Sequence, residues 1–497
     1  MEGALKAAPA LADKKEEGLL VNILTGLKKP SFNSAAISPA EGLNESQQAA
    51  VTKIIEGNEL AIVHGPPGTG KTTTLIQAIK AMLHMERDRI LVVAPSNAAV
   101  DLLTERLSAE DLNVVRVGNP ARVSERLMSL TLDSRIAAHP RAKEMKRLKK
   151  QAAEFRDMAQ KYKRSFGPQE REQRKALYTE ARAIAQEVER TEQYIVEDIL
   201  AKAEVITATL AGANHYSVRH LKYKTVVIDE AGQALEPACW IPILKGRKLV
   251  MAGDHQQLPP TIKSAAAARG GLSITLMEKC VALHPEAVVL LQEQYRMHQT
   301  IMNFSSDTFY GGKVNAHHSV AEHLLFAGDN PLLFIDTAGC GYEEKMEGTG
   351  TSNEEEAGCL IRHLTGLANL LETTNGAFPS IAVISPYKHQ VEVLKQAVVA
   401  APALNVHRVS IEVNTIDSFQ GQERDVVYIS MVRSNSSGII GFLSDIRRMN
   451  VAMTRARKKL VVVGDSATLS RHPFYEAFIA YCQQQEAYAS AWEFMDL

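Results

Sequence analysis

Cysteine is scarce: five in 497 residues, with no CxxC pair and no Cys/His cluster at zinc-like spacing. That excludes a disulfide scaffold, and it predicts free thiols in a reducing compartment. Aromatic residues make up only 6% of the chain, too few for a dedicated platform on which bases would stack. An excess of either charge is also missing. The 56 Lys/Arg balance 57 Asp/Glu to a net charge of -1, so no global pull toward a polyanion exists, although a local groove can be basic inside a neutral protein. No apolar run approaches the length that spans a bilayer. The first twenty residues mix acidic and basic side chains without an apolar secretory core. These absences predict no membrane partner and a cytoplasmic location, or a nuclear one if the source is eukaryotic. What is present, 45% hydrophobic and 23% charged residues, is the composition of a globular protein long enough for two to four domains.

The chain alternates short apolar runs with helical periodicity. LAIVH, RILVVAPS, AEVITATLAG, YKTVVIDEA and RKLVMAGDH read as buried strands of a parallel sheet, with helices such as TTTLIQAIKAMLH between them. A second series follows in PLLFIDT, IAVISPY, VSIEVNTI, DVVYISMV and KKLVVVGD. The pattern predicts an α/β protein with an extension over 1–43, a first sheet domain over 44–285, a second over 286–485 and a tail over 486–497. In the extension only Leu19, Leu20, Ile23 and Leu24 suggest a short helix, and the rest reads as loop. The segment GYEEKMEGTGTSNEEEA from Gly341 is acidic and Gly-rich, and its first part reads as a surface loop. Residues 121–204 break the rhythm. Between Arg141 and Arg190 stand 15 Lys/Arg against 8 Asp/Glu, and an apolar stripe through Leu177, Ala181, Ile184 and Val188 predicts an antiparallel helical pair inserted in the first domain. That pair is either a packing hairpin or a contact for a nucleic-acid backbone.

Chemistry concentrates at strand ends. Gly65, Pro66, Pro67, Gly68, Thr69, Gly70, Lys71, Thr72 and Thr73 form a complete phosphate loop between a strand and a helix. Its glycines let backbone amides approach an anion, Lys71 reaches β- and γ-phosphates, and Thr72 holds Mg²⁺. Asp229 and Glu230 end a buried strand, where Asp229 suits Mg²⁺ and Glu230 suits the attacking water. Asp254 and Gln257 leave a third strand, and Gln257 suits a γ-phosphate sensor. Arg296 and Arg455 come from the second half and could neutralise transition-state charge, with Arg447, Arg448 and Arg457 as rivals.

In this order the motifs LNESQQAAV, GPPGTGKT, APSNAAVDLL, IDEAGQ, GDHQQLPP, QYRMH, VNTIDSFQGQERDVV and RRMNVAMTRARKK resemble those of superfamily 1 helicases. The similarity covers roughly 18–485. It points to the 5′-to-3′ group of the nonsense-mediated-decay and immunoglobulin-mu-binding-protein helicases. The resemblance implies two tandem RecA-like P-loop domains with ATP and Mg²⁺ between them and a single strand of RNA or DNA across both. It implies that Gln47 reads adenine, that Tyr295 packs on adenine, and that Glu423 lies near the nucleotide. It also implies that Pro95, Ser96, Asn97, Thr209, Thr415 and Ser418 face nucleic acid. Relatives commonly carry a small β-barrel ahead of the first motifs, and that barrel is expected to be missing or outside this chain. The expected activity is ATP-driven translocation or unwinding by a monomer open to protein regulators. The alternative is an ATP-gated clamp that binds without unwinding, and a small-molecule kinase would leave the second-half motifs without purpose.

Overall fold

The computed structural model describes residues 1–14, 18–35, 41–161, 167–348, 350–373, 378–406 and 410–494. Seven parallel strands make the first sheet: β1 Leu60–His64, β2 Ile90–Ala94, β3 Val114–Arg116, β4 Val205–Thr209, β5 Tyr223–Ile228, β6 Gly246–Gly253 and β7 Val288–Leu290, in the order β3-β4-β2-β5-β6-β1-β7. The sheet is buried on both faces. Leu60 and Ile62 of β1 enter one apolar cluster while Ala61 and Val63 enter another, as the two-residue strand period requires.

A second, six-stranded sheet follows: β8 Leu332–Asp336, β9 Ile381–Ser385, β10 Ile411–Thr415, β11 Arg424–Ser430, β12 Ala456–Gly464 and β13 Tyr488–Ser490, in the order β10-β9-β11-β12-β8-β13. It too is parallel throughout. Each sheet reaches past its expected limit. β7 pairs with β1 beyond residue 285, and β13 pairs with β8 beyond residue 485. Both are three-residue edge strands, too short to carry a sequence period.

The extension is not mostly loop. Residues Glu2–Ala12 form helix α1 and Leu19–Leu24 form α2, and Ala8, Leu20, Val21, Ile23 and Leu24 join the first domain's core. Pro9 stands inside α1, which hides a helix from a propensity reading. The stretch after Gly341 also differs from expectation: Lys345–Glu347 and Gly350–Ser352 pair as an antiparallel ladder.

Three helices close the first half of the sheet: α3 Glu45–Glu56, α4 Lys71–Met85 and α5 Asn97–Ser108. The insertion holds α6 Leu132–Ala138, α7 Ala142–Gln160 and the 35-residue α8 Pro168–Lys202. His139–Asp198 and Lys149–Glu192 contacts run in opposite chain directions, so α7 and α8 are antiparallel. The sequence FGPQ, which reads as the break between the paired helices, falls partly on residues outside those described.

Candidate functional site

Strand order brings the phosphate loop and both acidic motifs together. β1 and β6 are neighbours with His64 beside Gly253, and β5 flanks β6, so all three motif loops leave the same carboxyl edge. The loop carries positive φ at Gly68 (76°) and Gly70 (74°), a region that disfavours any side chain. Close approach forbids one as well. A Cβ on Gly68 would meet the Arg296 Cβ at 2.7 Å, and one on Gly70 would meet the Gln47 amide nitrogen at 2.5 Å. Pro66 and Pro67 are buried, and the Thr69 hydroxyl donates to the Pro66 carbonyl at 2.8 Å, which fixes the turn. Thr72 is half-buried at the first turn of α4, and Thr73 is exposed.

Lys71 lies between the two carboxylates, 2.7 Å from Glu230 Oε1 and 3.8 Å from Asp229 Oδ1. Burial alone would lower its pKa, but Glu230 and Asp229 outweigh that and the ammonium is held charged, above its ordinary range. Asp229 is 3% exposed, and its pKa is pushed up by burial while Lys71 pulls the other way. Glu230 sits at φ 52°, a strained backbone for a non-glycine residue, and its second carboxylate oxygen accepts the Gln233 amide at 2.7 Å. The buried Asp229 carboxylate and the half-buried Thr72 hydroxyl are hard oxygen donors of the kind Mg²⁺ takes.

The second domain reaches this edge through the QYRM segment. Tyr295 N–H donates to the Gly68 carbonyl at 2.9 Å. Arg296 Nε donates to Glu423 at 2.6 Å and its Nη1 to the Thr454 carbonyl at 3.2 Å. Arg455 is 2% exposed and gives its Nε and Nη1 to the carbonyls of Val451 and Gln422, both at 3.0 Å. Burial lowers its pKa to about 9, and the neighbouring Arg296 adds to the effect. The rival arginines are occupied elsewhere. Arg448 pairs with Asp417 and Arg447 with Asp445, while Arg457 is exposed and 3.9 Å from Glu423.

Gln47 is buried, and its side chain is already engaged: Oε1 accepts the Asn44 N–H as part of a capping box, and Nε2 donates to the Thr69 carbonyl at 3.0 Å. Asn44, which the N-x-x-Q spacing marks only as a helix cap, donates to the Tyr295 hydroxyl at 2.9 Å. The Tyr295 ring packs against His317 at 4.6 Å and is 39% exposed.

Two AAA-domain family models match, over residues 42–265 and 272–467. SMUBP-2, a DNA-binding protein of Mus musculus, is 38% identical over 96% of this chain and 48% of its own length. An ATP-dependent helicase of Methanocaldococcus jannaschii is 34% identical over 90% of this chain and 71% of its own. The DNA polymerase alpha-associated DNA helicase A of Saccharomyces cerevisiae is 34% identical over 89% and 68%. The chain belongs to the superfamily 1 helicase family of SMUBP-2 and the regulators of nonsense transcripts. It spans about half the length of the SMUBP-2 proteins it matches. Among solved structures, the arterivirus nonstructural protein 10 helicase with DNA aligns at a TM-score of 0.39 and 13% identity over 84% of this chain and 63% of that one, too remote to carry an argument.

The remaining motif residues fall at a second set of strand ends. Pro95 and Ser96 follow β2, and Thr209 ends the adjacent β4. Ser96 is exposed and accepts the Ala99 N–H at 3.1 Å, capping α5, while Thr209 Oγ1 accepts the Gly212 N–H at 3.0 Å. Asn97 accepts from Arg116, which also pairs with Asp101. In the second domain Thr415 ends β10, and its hydroxyl lies 3.1 Å from that of Ser418.

A chain of buried hydrogen bonds ties the two domains, and the motifs alone do not predict it. Asp254 pairs with His64 at 2.9 Å, accepts the Gln257 amide at 2.8 Å and the Gln256 N–H at 3.0 Å, and accepts the Tyr310 hydroxyl from the second domain at 2.7 Å. Asn450 donates to both the Tyr310 oxygen and the Gln256 carbonyl. Burial would raise the Asp254 pKa, but these donors hold it below the usual carboxylate range. Gln257 is thus turned onto Asp254, and a further Asp254 partner, His64, directly precedes the phosphate loop. The available signal was the polar Asn450 between the apolar Met449 and Val451.

Proposed function

We propose that this chain is the motor core of an ATP-driven translocase, moving 5′ to 3′ on single-stranded RNA or DNA and hydrolysing ATP to ADP and phosphate. The observation that carries the reading is the convergence of Arg296, from the second domain, on the Gly68 turn beside Lys71, Asp229 and Glu230. A nucleotide at that seam touches both domains, so its loss can change how they sit.

The geometry suggests an order of events. Lys71 rests on Glu230, and a γ-phosphate offers it a stronger anionic partner. Exchange of that partner frees one Glu230 oxygen, while Gln233 keeps the other in place. The freed carboxylate orients a water toward the γ-phosphorus and takes its proton as the bond to the β-phosphate oxygen breaks. Arg296, released from Glu423, and the more deeply held Arg455 stabilise the charge that builds on the transferring group. Thr72 and Asp229 would hold Mg²⁺, which supplies charge neutralisation on the phosphates when bound. Tyr295 offers an exposed ring for adenine, with Asn44 setting its hydroxyl. Because both Gln47 amide atoms are committed to Asn44 and Thr69, Gln47 shapes this pocket by fixing the loop.

Ser96 and Thr209 on the first domain, with Thr415 and Ser418 on the second, supply small hydroxyl donors suited to phosphates rather than to base edges. Pro95 and Asn97 flank Ser96 and face the same strand in this reading. Sequence-tolerant tracking follows, and RNA and DNA both remain substrates of the proposal.

The test is the rate of ATP hydrolysis with and without poly-U RNA and matched single-stranded DNA. Stimulation by either supports the motor, and strand displacement on duplexes tailed at one end or the other gives polarity. Tight binding with no turnover would identify the clamp instead. Absence of both binding and stimulation would overturn the proposal.

A further inference from the structure

The inserted hairpin carries a charge surplus that neither the ATP seam nor the two rows of hydroxyls uses. On the outer part of α8, Arg171, Arg174, Lys175 and Arg182 line a groove of about 800 Å³ together with Arg156 of α7 and the exposed Tyr178. The described residues lining it include five cations and no carboxylate. Glu154, Glu170, Glu172 and Glu180 stand on the same two helices but outside the groove lining. Among the described residues Arg156, Arg171, Lys175 and Arg182 make no ion pair, whereas lower on the hairpin Lys149 and Lys202 are paired with Glu192 and Asp198. Arg174 lies over the Tyr178 ring at 5.7 Å, and the pattern repeats toward the root, where Arg141 lies over the exposed Tyr194 ring at 5.0 Å.

Packing does not require these side chains. The buried face of the hairpin is Ala152, Ala159, Ala181, Ile184 and Val188, so the cations are on positions where any helix-compatible residue would serve. Holding like charges together costs energy at low salt unless an anion sits among them. A groove lined by cations and an exposed tyrosine, with the carboxylates of its helices outside the lining, suits a phosphate backbone with bases free to stack.

Position separates this groove from the core. α8 is rooted by Ile195, Ile199 and Leu200 in the first domain's apolar cluster. At 1.5 Å per residue, Lys175 stands about 35 Å up the helix from Ile199. We propose that the outer hairpin groove is a second nucleic-acid-binding site, which holds the phosphate backbone of the same molecule outside the strand path across the two sheets. The inference rests on the translocase reading, because it assigns a second contact to that substrate.

The test compares the intact chain with R171Q/K175Q/R182Q on 10-nucleotide and 30-nucleotide single strands, by fluorescence anisotropy over a range of KCl. Glutamine keeps helix propensity close to that of arginine and lysine, so the fold is retained. The 30-mer should bind the variant at least about tenfold more weakly near physiological salt. The slope of log affinity against log salt should shrink by about 2, at about 0.7 for each phosphate that the variant leaves without its cation. Affinity for the 10-mer should stay within about twofold. The charge-preserving variant R171K/R182K should keep the 30-mer slope, which a purely structural role of these positions does not predict. A parallel arm with a blunt 30-base-pair duplex shows whether the held backbone is single- or double-stranded. An unchanged 30-mer slope would overturn the inference while leaving the motor standing, as would an equal loss on both lengths. Failure of the intact chain to bind either length would remove the translocase reading and this one with it.

Discussion

Replacing Tyr310 with phenylalanine removes a single oxygen from the seam between the domains, and the structure sets what that should cost. The hydroxyl donates to Asp254 Oδ2 at 2.7 Å and accepts from Asn450 Nδ2 at 3.0 Å. Asp254 keeps His64, Gln257 and the Gln256 N–H, and Asn450 keeps the Gln256 carbonyl, so no new polar orphan appears on either partner. What is lost is one charge-assisted bond to Asp254 and one neutral bond from Asn450 in a buried site, together worth about 2–3 kcal/mol. Asn450 Oδ1 has no partner to begin with, so compensation from that side chain is limited. The assay is urea unfolding of four proteins: parent, Tyr310→Phe, Asp254→Asn and the double variant. The coupling energy between the two positions should be at least about 1 kcal/mol. It should also depend on pH with a definite sign. The Asp254 pKa is depressed in the fold, so the stability it contributes is present above its unfolded value near 3.8 and fades as pH falls through the folded value. The Tyr310→Phe penalty should therefore be largest near neutrality and shrink in acid. Additivity within about 0.5 kcal/mol at pH 7 would refute the reasoning, because it would mean the hydroxyl and the carboxylate do not act on one another.

Lys71→Ala should lower ATP turnover by at least about 10²-fold in a coupled phosphate-release assay, since no other cation lies between Asp229 and Glu230 among the described residues. Glu230→Gln should keep nucleotide affinity, measured with a fluorescent ATP analogue, while turnover falls by about 10²–10⁴-fold. Near-normal turnover would remove Glu230 as the residue that activates water. Glu356 is fully buried in the second domain, where it accepts the Val432 N–H at 2.9 Å and so steadies a β-branched residue at φ 71°. Burial raises its pKa to about 8, so its contribution to stability is complete below an unfolded value near 4.5 and is lost as pH rises through about 8. Thermal or urea denaturation should show Glu356→Gln gaining on the parent by up to about 1.4 kcal/mol per pH unit across that window, and parallel pH profiles would refute it.

Much of the architecture was legible because it rests on local regularities. Runs such as LAIVH and ILVVA are apolar at nearly every position, and only a strand covered on both faces buries every side chain of so short a run. The three-residue edge strands β7 and β13 were not legible, because their pairing is a property of the neighbours β1 and β8. Helix α1 escaped for a related reason: its burial depends on packing against the first domain, and its own residues include a proline.

The sequence by itself determined the α/β class, the phosphate loop, and the identity of the acidic pair, since a loop of that spacing between strand and helix imposes its own geometry. It also determined the basic excess of the insertion, which is a count. Only the tertiary structure decided which arginine meets the loop, because Arg296, Arg455 and their rivals are equal in chemistry and differ in what surrounds them. The same holds for the bonds of Gln47 to Asn44 and Thr69, and for the Asp254–Tyr310–Asn450 chain. Gln47 and Thr69 are 22 positions apart, Asp254 and Tyr310 are 56 apart, and Tyr310 and Asn450 are 140 apart, and no local rule reports a partner at such distances.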